Sequence, residues 1–75
     1  SKPLIWLKLG KCFLFLSDFS NSKIFLERVF TEVPENYEAC DALVQLYKAS
    51  NDKKMAVACL TAHLKVTKEI FMEEA

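Results

Sequence analysis

Glycine occurs once in these 75 residues and proline twice. So few breakers leave little material for tight turns, and the composition favours helices joined by short loops. Neither sign of charge is in surplus: ten Lys plus Arg stand against ten Asp plus Glu, for a formal net charge of zero. That balance excludes the basic stripe on which phosphate neutralisation rests, so no nucleic-acid partner is expected. The three cysteines, Cys12, Cys40 and Cys59, show no C-x-x-C spacing, and His63 is the single histidine. A metal site needs more ligands than this, and no metal or cofactor is expected. The thiols read instead as small apolar residues of a reducing compartment, which places the chain in an intracellular setting, cytoplasmic or nuclear. No paired carboxylates, phosphate-binding loop or nucleophile–base pair stands out, so the chain is not expected to be an enzyme. His63 falls on the apolar face of its helix and reads as a hydrogen-bonded packing residue.

Long apolar runs are also scarce. The longest candidate, Leu4 to Leu16, covers 13 residues and contains Lys8 and Lys11. It is too short and too charged for a membrane span of about 20 residues, and no small-residue cleavage pattern follows it. A core helix fits better. The abrupt start without Met reads as a piece of a longer protein.

What is present is apolar and helical in period. Hydrophobic residues make up 52% of the chain, enough for one small domain over residues 1–75 and no more. The first helix follows Pro3, whose missing N–H is no loss in a first turn. Ile5, Trp6, Leu9, Cys12 and Phe13 keep helical spacing, while Leu4, Leu7, Leu14, Phe15 and Leu16 fill the other faces. Ser17 to Asn21 break the helix and supply the cap for a second, about Ser20 to Thr31. Its inner stripe is Ser22, Phe25 or Leu26, Val29 and Phe30. Pro34 ends it. Asn36 can cap a third helix by accepting from the N–H of Ala39, and Glu38 suits the positive helix end. This helix runs to about Ala49 with Ala39, Cys40, Leu43, Leu46 and Tyr47 inward. Ser50 to Asp52 break it, and one long fourth helix follows from Lys53 to about Glu73. Ala56, Leu60, His63 and Leu64 are its expected inner residues. Its solvated tail carries Lys65, Lys68, Glu69, Glu73 and Glu74, with Ile70 and Phe71 as an apolar remnant.

The chain also nearly repeats itself at a spacing of 34 residues. Trp6, Leu9, Gly10, Phe13, Ser22, Leu26, Val29 and Pro34 are followed, one period on, by Cys40, Leu43, Val44, Tyr47, Ala56, Leu60, His63 and Lys68. From residue 3 to about residue 70 the chain resembles two consecutive tetratricopeptide repeats. Trp6, Leu9-Gly10 and Phe13 stand where that family places an aromatic, a Leu-Gly pair and a second aromatic. Ser17-Asp18-Phe19 is similar to its Gly-Asp-Tyr turn, and Pro34 closes the first unit as the family's proline does. In the second unit Tyr47, Asn51-Asp52, Ala56 and Leu60 match. Cys40, Val44, His63 and Lys68 depart from the pattern, as the terminal repeat of an array does.

The resemblance implies an all-α fold of two antiparallel helix-turn-helix hairpins in a right-handed solenoid fragment. One repeat would span about 3–36 and the other about 37–70, with a helical tail over 71–75. It implies a scaffold for a partner protein, with the first helix of each unit lining a groove. The groove-facing residues would be Leu4, Leu7, Lys8, Lys11, Leu14 and Phe15, together with Glu38, Asp41, Gln45 and Lys48. Such a strip suits an extended peptide or an amphipathic partner helix. Some family members grip chaperone tails through a carboxylate clamp. Here the matching places hold Leu7, Lys11 and Ala42, so no such clamp is expected. The alternative is structural self-association through the apolar first helix. Its large apolar face predicts that the isolated chain dimerises, holds a partner or relies on neighbouring repeats. A carrier of an apolar ligand, with His63, Tyr47 and the thiols inside, is a third class.

Overall fold

A computed structural model describes residues 1–74, with side chains for all of these except 71, 73 and 74. Four helices follow one another: α1 Lys2–Phe15, α2 Phe19–Glu32, α3 Tyr37–Ala49 and α4 Lys53–Glu74. The fold is all-α, with no strand among the described residues. α1 packs on α2 and α3 on α4 as two helical hairpins, and α3 also lies against both α1 and α2. The expected solvated carboxylates Glu73 and Glu74 and the apolar remnant at Phe71 lie outside the described side chains. Ala75 lies outside the described residues altogether.

The two hairpin turns are built alike. The Ser17 N–H donates to the Leu14 carbonyl and the Asp18 N–H to that of Phe13. One 34-residue step later, the Asn51 N–H donates to Lys48 and the Asp52 N–H to Tyr47. Each pair is a Schellman closure of the preceding helix, which needs a residue in the left-handed region. Ser17 and Asn51 occupy it, at φ 60° and 59°. The next residue then caps the following helix: Asp18 Oδ1 accepts from the Asn21 N–H and Asp52 Oδ1 from that of Met55. The α2–α3 link is different. Pro34 precludes a continuing helix, and Asn36 Oδ1 accepts from the Ala39 N–H at 3.0 Å.

The core holds Leu7, Leu26, Val29, Ala39, Cys40, Ala42, Leu43, Leu46, Tyr47, Ala56 and Cys59, and six of these eleven come from α3. Phe13 stacks on Phe25 with ring centroids 5.8 Å apart, and the Arg28 guanidinium lies over Trp6. α1 and α2 approach most closely at Gly10. A Cβ built there would stand 2.6 Å from Leu26 Cγ, and Leu26 is wholly buried. The same approach lets Ser22 Oγ donate to the Gly10 carbonyl at 2.7 Å.

Two expected inner residues of α4 and one expected groove residue of α1 are placed otherwise. Leu60 and Leu64 are exposed, while Cys59 takes the inward place beside Ala56 and His63. Leu7, expected to face a groove, is only 4% exposed and belongs to the core. Most of α1 is open, with Ile5, Leu9 and Cys12 all exposed, as is Leu16 just after it.

Replacing Gly10 with Ala is expected to destabilise the chain by about 1–3 kcal/mol in urea unfolding, through overpacking against Leu26. In an unobstructed helix interior the same change stabilises by about 1 kcal/mol, so the sign identifies the close approach. At the turns, Ser17→Gly is expected to stabilise by about 1 kcal/mol by relieving left-handed strain. Asn51→Gly should gain less, because Asn tolerates that region. Equal thermal shifts for the two variants would contradict this.

Candidate functional site

The α1–α3 pair leaves a groove of about 320 Å³. Lys11, Leu14 and Phe15 wall it from α1, and Glu38, Asp41 and Gln45 face them from α3. Helical spacing explains the set: Lys11, Leu14 and Phe15 lie within one turn of α1, and Asp41 and Gln45 are four apart on α3. Lys11 Nζ sits 3.5 Å from Glu38 Oε2, an exposed pair that salt and water weaken. Gln45 Nε2 donates to Asp41 Oδ2 at 2.9 Å, which holds the carboxylate at the rim. Phe15 is 88% exposed, an unusual position for an aromatic ring.

Six of the ten residues expected to face a groove thus meet in one. Leu4, Lys8 and Lys48 are exposed but lie outside its lining, and Leu7 is in the core. Tyr37 and Ala42 complete the lining and were not among those expected. Tyr37 is legible in hindsight, because it precedes Asp41 by four residues at the exposed start of α3. Ala42 stands at a place the resemblance matches to the carboxylate clamp, but its small buried side chain carries no signal of its own.

A second hollow, about 270 Å³, opens between α2 and α4 over Phe30, Tyr47, Met55 and Cys59. The Tyr47 hydroxyl donates to Glu27 Oε1 at 3.0 Å. Burial pushes its proton affinity up, and the bond to Glu27 and that carboxylate's charge push it further. His63 Nδ1 lies 3.0 Å from the Pro34 carbonyl, so the ring donates there and ties α4 to the α2–α3 link. Tyr37 meets the same imidazole edge-on. His63 is therefore spent on structure.

Cys12 is exposed, whereas Cys40 and Cys59 are buried neighbours. Burial pushes the Cys59 thiol up to about 12, with Cys40 adding to the effect. Burial raises Cys40 as well, offset in part by its contact with Cys59. Neither is poised as a nucleophile at neutral pH. Among the described residues no group of three His, Cys, Asp or Glu side chains converges to hold a metal ion. No helix among them is long and apolar enough to cross a membrane. Comparison with protein-family models, with curated proteins and with solved structures gave no match.

At pH 8 a disulfide-exchange reagent is expected to modify one thiol promptly, Cys12, and the other two only as fast as the chain unfolds. The buried thiols keep their protons in the fold while the unfolded chain releases them above the ordinary value of 9.0. The contribution of Cys59 to stability is therefore full below that pH and is lost as pH climbs from 9.0 toward about 12, and Cys40 acts in the same direction. The alkaline slope of unfolding free energy should shrink in Cys59→Ala.

Proposed function

We propose that this chain is a non-catalytic protein-interaction module, a tetratricopeptide-like scaffold whose α1–α3 groove takes an extended peptide or an amphipathic helix of a partner. The observation that carries the reading is Phe15: a ring left 88% exposed beside a groove with a fixed carboxylate at its rim. An apolar anchor flanked by ordered polar groups is what peptide recognition needs, since the anchor supplies burial and the rim sets register. Two further observations support it. The two hairpin turns share one hydrogen-bond pattern at a 34-residue step. The approach at Gly10 gives a physical reason for the Leu-Gly pair of the resemblance.

The lining sets one ammonium, Lys11, against two carboxylates, Glu38 and Asp41. A ligand with an aromatic or aliphatic anchor next to a basic residue suits that balance.

Selection of displayed random peptides on the chain, followed by fluorescence anisotropy, tests the proposal. Enriched peptides should lose about tenfold or more in affinity for Phe15→Ala, the equivalent of about 1.5–3 kcal/mol of ring burial. Lys11→Glu should change which peptides are enriched. Both side chains are exposed, so circular dichroism should be unchanged. Selection that enriches nothing, or peptides indifferent to both substitutions, would sink the groove reading.

A further inference from the structure

The 34-residue step that relates the two turns also relates the packed seam between the hairpins to the two open ends of the molecule. In α3, Ala39, Leu43 and Leu46 are all buried, and Leu43 and Leu46 border α2 of the first hairpin. One step earlier, the same places on α1 hold Ile5, Leu9 and Cys12, and all three are exposed. The other side of the seam behaves in the same way. Leu26 of α2, which packs on Gly10, is 0% exposed; one step later Leu60 of α4 is 44% exposed. Gly10 is buried, and its counterpart Val44 is only half-buried. Val44, Leu60 and Leu64 line an open apolar hollow of about 270 Å³ along the α3–α4 edge. The molecule thus carries the two halves of its own internal seam, one at each end, both uncovered.

Burying Leu and Ile side chains from such positions favours association. α1 carries Lys2, Lys8 and Lys11 and no acidic residue. The α3–α4 hollow has Asp41 at its rim, while its one imidazole, His63, is engaged with Pro34.

We infer that copies of this chain associate head to tail, the Ile5–Leu9–Cys12 face of one α1 seating in the α3–α4 hollow of the next copy, as α3 seats on the first hairpin within the chain. Such an interface is heterologous, so each copy added leaves a fresh end and growth does not close at two. The α1–α3 groove shares Tyr37 and Asp41 with that hollow, but Leu9 and Leu60 do not line it.

Sedimentation velocity of the intact chain over a concentration series reads this directly. The weight-average mass should climb past that of a dimer as concentration rises. Leu9→Glu spoils one end and Leu60→Glu the other, so each variant alone should be monomeric at every concentration. Mixed in equal amounts, they should form a one-to-one dimer that grows no further, because one intact hollow meets one intact α1 face. Both side chains are partly exposed, and helical circular dichroism checks the fold. If either variant unfolds, Ile5→Glu and Leu64→Glu, at more exposed positions of the same two faces, take their place. An intact chain that stays monomeric overturns the inference and assigns these faces to another segment or partner. So does a closed dimer abolished by Leu9→Glu alone and spared by Leu60→Glu, which marks α1–α1 pairing. A mixture that stays monomeric overturns it too. Peptide binding in the groove should survive in both variants, so failure of one proposal leaves the other standing.

Discussion

Everything in this molecule leans on α3. It is the one helix that lies against all three others, and it contributes Ala39, Cys40, Ala42, Leu43, Leu46 and Tyr47 to the core. Small residues at 39 and 42 let it sit close to the first hairpin, while Cys40 and Tyr47 turn toward α4 and its Cys59. A chain this short buries about 60–65% of the surface its unfolded form exposes, so the order of the whole depends on a helix buried on most of its circumference. The groove depends on it too: one wall is α3, and the floor is the Ala42 methyl.

The second constraint is the meeting of α1 with α2. At Gly10 the absence of a side chain lets Leu26 fill the space and Ser22 reach a backbone carbonyl. This fixes the tilt of α1 and with it the direction in which Lys11, Leu14 and Phe15 project. A single missing methyl in the core thus sets the geometry of an exposed wall several residues away. The polar detail of that wall is local to α3, where Gln45 restrains Asp41 across one helical turn.

Much of this was legible in the residues. Short polar side chains compete with helix hydrogen bonds, and each cluster of them ends a helix where expected. The Asn36 cap follows from the same chemistry. The inward stripe of α3 stands out because Glu38, Asp41, Gln45 and Lys48 mark its opposite face. α1 and α4 were harder. In α1 nearly every face is apolar, and periodicity cannot say which leucine a neighbour will cover. Leu7 is buried and Leu9 is not because α2 and α3 lie on one side alone. Leu60 and Leu64 keep helical period with His63, yet α3 is too narrow to cover them. An apolar pattern records a side chain's preference for burial; whether a partner stands opposite is decided by the rest of the fold. The groove was legible in its charged and aromatic members and hidden where it depends on a small side chain.

The order of contacts along the chain also governs how it forms. Among the described residues, α1 meets α2 and α3, α2 meets α3, and of the helices α4 lies closely against α3 alone. No helix must find a partner more than two places away. The loop entropy lost before contacts form is correspondingly small, and such local topologies fold in microseconds to milliseconds. The same order makes α4 the element least encumbered by others. Lys65, Lys68 and Glu69, beyond His63 and its bond to the Pro34 carbonyl, are exposed, and that stretch of α4 can open and reclose while the first hairpin stays closed.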